Sequence, residues 1–119
     1  MPSRPLPPID PLEHEFAQEK ASALGRLGRS LESALHLLRE FDSRHERETL
    51  STQTRRLRMQ LVEHASVALW HFAVQREACG LRDLRHVLRD YRVPAEVAAR
   101  MGVSVVRDQQ TSAMRKTAN

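Results

Sequence analysis

An all-α fold is encoded in this chain by two long stretches of helical apolar periodicity, the cap and stop residues that bracket them, and the absence of alternating strand patterns. At 119 residues it has length for one domain. Apolar residues make up 40%, drawn mainly from Leu, Ala and Val, with only 4% aromatic. Such a composition suits helices packed at moderate depth.

The first helix starts at a clear signal. Asp10 is a good N-cap, Pro11 suits the first helical position, and Glu13 can complete a capping box. From there Ala17, Leu24, Leu27, Leu31, Ala34, Leu38 and Phe41 recur at the three-and-four spacing of a packing seam, which predicts a helix over 11–42. At about 1.5 Å per residue it would run about 48 Å, long for so small a domain. Ala17, Ala21, Gly25 and Gly28 form a ridge of small side chains, read here as a site of close helix approach rather than a kink.

The turn falls around 42–54, where Ser43 with Glu46 offers another capping box and Thr49, Ser51, Thr52 and Thr54 disfavour a helix interior. A second helix over about 50–79 follows, with Leu57, Leu61, Ala65, Ala68, Leu69, Phe72 and Ala73 on one broad face. Gly80 suits a left-handed cap, and Leu81 is the apolar residue that usually follows one. A third helix is expected over 82–92, with Leu84, Val87, Leu88 and Tyr91 inward. Pro94 breaks it and opens a fourth, from 94 to 101.

The domain organisation is then an extended Pro-rich arm (1–9), one all-α domain (10–102) and a polar tail (103–119). The expected architecture is a long antiparallel helical hairpin with two shorter C-terminal helices. A single hairpin cannot bury its seam together with Leu35, Leu37, Val62 and Leu69, so pairing of two hairpins into a helical-bundle homodimer is expected.

Several function classes recede at once. One cysteine forbids an internal disulfide, and no stretch approaches the roughly 18 apolar residues of a membrane span. The opening MPSRPLPPIDP has no apolar run, so a signal peptide is not expected and a cytoplasmic location is. Its PxxP spacings suit a proline-groove ligand only formally; an arm draped over its own domain or a neighbour is the plainer reading. The net charge of +4 is explained by solubility alone, although seventeen Arg against two Lys favours bidentate recognition of carboxylates or phosphates.

Reactive residue types gather between Val67 and Gly102, which holds the only Trp, Tyr and Cys. No catalytic set closes there. Cys79 lies at the C-terminal end of helix two, where the helix dipole opposes a thiolate, and His71 is two turns away on the same helix. A pairing of Cys79 with His86 across Gly80 is the route by which His71, Glu77, Cys79, Arg82 and His86 could form a ligand or enzyme site. His64 and His71 are seven apart, where metal ligands on one helix stand three or four apart, so neither metal nor cofactor is expected.

A stronger pattern is Arg82, Arg85, Arg89 and Arg92, whose three–four–three spacing aligns them along one helical ridge. Four guanidinium groups can grip an acidic surface or follow phosphates, whereas pairing with Glu13, Glu15, Glu19, Glu63 or Glu77 would silence them. Trp70 and His71 flank the second helix as candidate interface anchors. PAEVAARMGVS matches the first half of a helix-turn-helix, but Asp108 and Thr111 stand where the recognition helix needs apolar anchors. The leading expectation is a non-enzymatic helical interaction protein that binds an acidic protein partner through the ridge, Trp70 and His71. The alternative is weak nucleic-acid binding through the ridge and the basic tail (Arg107, Arg115, Lys116).

The run ALWHFAVQREACGLRDLRHVLRDYRVPAEVAARMG, with ASALGRLGRSLESAL upstream, resembles a family of small bacterial helical proteins of unknown function. ACGLRD and YRVPAEV are its most specific segments. The resemblance implies an all-α fold, assigns no activity, and carries no functional residues over.

Overall fold

The computed structural model describes residues 10–101. The arm 1–9 and the tail beyond Met101, with Arg107, Arg115 and Lys116, lie outside the described residues. Helix α1 spans Pro11–Arg44, α2 Thr52–Ala78 and α3 Arg85–Asp90; a fourth helix, α4, occupies residues 95–101. No strand occurs among the described residues.

Each boundary has a local cause. Asp10 Oδ1 accepts from Leu12 N at 3.1 Å and Pro11 follows at the first helical position. Helix α1 runs on through Ser43, so the expected Ser43–Glu46 box does not form. His45 ends the helix instead, its amide donating to Phe41 O and its ring stacked on Phe41 at 4.2 Å. Ser51 caps α2, its hydroxyl accepting from Thr54 N at 3.2 Å. Gly80, at φ +83°, closes α2 as expected, and Leu81 N donates back to Arg76 O at 2.8 Å.

The third helix is shorter than its periodicity suggests. Asp83 Oδ1 accepts the Arg85 amide at 3.0 Å, which holds residues 83–84 in a turn and delays the helix start. At the other end Arg92 adopts φ +51° and Val93 N donates to Leu88 O at 2.9 Å, a left-handed stop at a residue other than glycine. Arg39 of α1 reaches this stop, donating to Tyr91 O at 2.7 Å and Arg92 O at 3.1 Å. It satisfies carbonyls that a helix end leaves open.

Helices α1 and α2 run antiparallel: Arg58 meets Asp42 at one end, and Gln75 donates to Lys20 O at the other. The core joins Leu31, Ala34, Leu35 and Leu38 of α1 to Val62, Ala65, Leu69 and Phe72 of α2, Val87 of α3 and Val97 of α4. Helices α3 and α4 thus bury Leu35, Val62 and Leu69 within one copy of the chain, and Leu37 alone of the four expected flanking residues stays exposed. Burial of these three residues therefore does not require a second hairpin. Ala17 leaves the expected seam as well, because residues 10–22 are all exposed and the core begins beyond them.

Helix α1 is unbroken through both glycines. A Cβ on Gly28 would stand 3.1 Å from Tyr91 Oη and 3.2 Å from Phe72 Cε2, so the close approach expected of the small-residue ridge is realised there. Gly25 faces only the far end of Arg29, at 3.4 Å. Arg58 ties three helices: Nε donates to Asp42 Oδ1 at 2.8 Å, Nη1 to Glu96 Oε2 at 2.9 Å, and Nη2 to both carboxylates. These bonds, to Glu96 above all, raise the Arg58 pKa and hold Glu96 below its usual value.

Two outcomes follow for stability. Gly25→Ala should stabilise the fold by up to about 1 kcal/mol of helix propensity, read as a higher urea midpoint, and Gly28→Ala should gain less or lose stability, because Phe72 and Tyr91 must give way. Glu96 has a folded pKa below its unfolded value of 4.5, so its contribution is complete above that pH and is lost as pH falls through the depressed value. Arg58→Met should cost about 1–2 kcal/mol near pH 7, discounted for partial exposure, and much less near pH 3, as read by urea melts at both.

Candidate functional site

The segment Leu81–Arg92 crosses the hairpin with Val87 buried and Leu84, Leu88 and Tyr91 partly buried against the core. Its apolar side is thereby fixed inward, and Arg82, Arg85, Arg89 and Arg92 are all exposed. They do not form one helical ridge. Only Arg85 and Arg89 lie on α3, one turn apart, while Arg82 precedes the Asp83 turn and Arg92 forms the left-handed stop.

Their partners differ as well. Arg85 Nε pairs with Asp83 Oδ1 at 3.2 Å and Arg89 Nε with Asp90 Oδ1 at 3.3 Å, with the arginine side chains 90% and 72% exposed. The Arg85 hydrogen bonds hold the Asp83 carboxyl below the usual carboxylate range. Arg89 also approaches His86 Nδ1 at 3.0 Å, and His86 Nε2 lies 3.5 Å from Asp83. Arg82 and Arg92 have no carboxylate partner among the described residues, and no ion pair runs from any of the four to Glu13, Glu15, Glu19, Glu63 or Glu77. Pairs so open to water contribute little and are readily exchanged for another carboxylate.

Trp70 and His71 occupy α2, their rings edge-to-face at 5.2 Å. Trp70 is half-buried between Val67 and Val74, which share its side of the helix at three- and four-residue spacing and are 41% and 48% exposed. No hydrogen bond, ion pair or ring contact joins Trp70 or His71 to the arginines among the described residues.

The candidate reactive set does not converge. Cys79 Sγ points to Lys20 O on α1 at 4.0 Å, and His86 is engaged with Asp83 and Arg89, so the Cys79–His86 pair is not made. No side-chain bond joins His71, Glu77 or Arg82 to either of them among the described residues. No cluster of three or more His, Cys, Asp or Glu able to hold a metal occurs among the described residues. Nor is any described helix long and apolar enough to cross a membrane.

Three arginines not singled out as site residues organise this surface. Arg39 and Arg58 act as above. Arg76 reaches across the Gly80 corner to Asp83 O at 3.3 Å, with its guanidinium 5.8 Å from the Phe72 ring centre. Nothing local in the sequence separates these arginines from Arg82, Arg85, Arg89 and Arg92.

A family model described as a family of unknown function, DUF6665, matches residues 3–109. The chain belongs to this family. Membership agrees with the resemblance carried by the ACGLRD and YRVPAEV segments, and the DUF6665 match spans all four helices. No curated protein matches the chain, and no solved structure does.

Proposed function

We propose that this DUF6665 member is a non-enzymatic, cytoplasmic interaction protein that binds an acidic protein surface through Arg82, Arg85, Arg89 and Arg92, with Trp70 and His71 as a second, apolar contact. The observation that carries the reading is the exposed, carboxylate-free state of Arg82 and Arg92 on either side of α3. Arg85 and Arg89 add two guanidinium groups whose present partners are exposed near neighbours in sequence, a weak hold that an incoming carboxylate can replace. The exposed Val67 and Val74 beside Trp70 support the apolar contact. Asp83 and Asp90, interleaved with the arginines, dilute the positive charge of this surface, which weakens it more for a partner of continuous high charge density such as a polyphosphate backbone than for one that sets single carboxylates on Arg82 and Arg92.

Fluorescence anisotropy with a labelled oligoglutamate peptide tests this. The wild-type chain should bind at low ionic strength, and binding should weaken as salt rises toward physiological levels. Arg82→Glu/Arg92→Glu should weaken it by about tenfold or more, equal to about 1.4 kcal/mol. Equal binding by wild type and variant would overturn the reading. Tighter binding of duplex DNA than of the peptide, with a steep salt dependence, would favour the nucleic-acid alternative.

A further inference from the structure

Helix α1 outruns its partner. At about 1.5 Å per residue α1 is about 51 Å long and α2 about 40 Å. Helix α2 ends beside Lys20, where Gln75 Nε2 donates to the Lys20 carbonyl at 3.3 Å. Residues 11–19 therefore project about 14 Å past the hairpin's end, with no helix alongside among the described residues. The projection is amphipathic rather than simply polar: Leu12 and Phe16, one turn apart on the same side, are 56% and 55% exposed. Glu15 and Glu19 border them, Glu13 lies nearby, and none of the three has an ion-pair partner among the described residues. With Asp10, four carboxylates face one ammonium, Lys20.

The complementary surface lies at the same end of the molecule. Just past the Gly80 stop, Leu81 is 46% exposed and is followed by the unpaired Arg82 and the exposed Arg85. Apolar contact with flanking acid on one side thus matches apolar contact with flanking base on the other. Within a single copy no hydrogen bond or ion pair joins residues 11–19 to residues 81–85. Because both patches sit at one end of the hairpin, a single two-fold axis placed there engages both pairs at once. That is the requirement for a closed, isologous dimer.

We infer that the acidic partner of the arginine surface is a second copy of this chain, whose projecting α1 end packs Leu12 and Phe16 on Leu81 and sets Glu15 and Glu19 against Arg82 and Arg85. The inference rests on the proposed role of those arginines and names their partner. It replaces the four-helix pairing of whole hairpins by an end-to-end contact, since the flanking residues that called for whole-hairpin pairing are covered within one copy. Charge steers this contact and the apolar residues hold it, so self-association is stronger at low salt.

Light scattering on the full chain decides it. The wild type, 13.6 kDa as a monomer, should give a mass of about 27 kDa at low ionic strength and shift toward the monomer as salt is raised. Glu15→Lys/Glu19→Lys and Arg82→Glu/Arg85→Glu should each be monomeric with unchanged circular dichroism. Mixed in equal amounts they should recover the dimer mass, because the hetero-pair restores opposite charges at both contacts. A monomeric wild type at high protein concentration and low salt would overturn the inference, as would a dimer indifferent to both charge reversals. A monomeric wild type that still binds oligoglutamate through Arg82 and Arg92 would remove the second copy as partner and leave the arginine reading standing. Failure of both would remove both.

Discussion

The fold depends on one geometric constraint: two antiparallel helices can bury only the seam between them, and this hairpin carries apolar residues beyond its seam. The segment from Leu84 to Met101 returns across the hairpin and closes the core as a third layer. Val87 and Val97 are 2% and 0% exposed beneath it, and Leu35, Val62 and Leu69 become fully internal. Each such side chain contributes about 1.5–3 kcal/mol on burial, so the layer decides whether a domain of this size has a sufficient core. At Gly28 the layer packs close to α1, with Tyr91 and Phe72 of α2 filling the space a side chain would take.

Polar groups fasten this layer rather than drive it. Arg58 joins α1, α2 and α4 through two carboxylates, Arg39 caps the end of α3, and Arg76 spans the Gly80 corner. Arg76 Nε is buried without a partner among the described residues, and its guanidinium lies over the Phe72 ring. These commitments divide the arginines in two. Those that reach across helices are structural, and those that crown the third layer face solvent with near neighbours in sequence or no carboxylate at all. The functional reading follows from that division.

Much of the fold was legible because it is local. Asp10, Pro11 and Gly80 mark helix ends by side-chain or backbone chemistry within a few residues, and the periodicity of Leu31, Ala34 and Leu38 reports a face that is in fact buried. Periodicity misled where it was asked for more. Leu84 and Tyr91 are partly buried, as their spacing implies, yet both flank α3 rather than belong to it, so the helix is shorter than the apolar repeat and its arginines do not align. Ala17 shares the seam's spacing but has no helix opposite it, because a repeat records amphipathicity and not the partner's length. The fastening arginines were illegible: Arg39 meets Tyr91, and Arg58 meets Glu96, across distances in sequence that no local pattern encodes.

The most direct test of this account is the urea unfolding transition of a chain ending at Gly80, followed by circular dichroism beside the full-length protein. If the third layer closes the core, removing it exposes Leu35, Val62 and Leu69, and the truncated chain should lose its cooperative transition or unfold at a much lower midpoint. A truncated hairpin that unfolds cooperatively at the full-length midpoint would contradict the account.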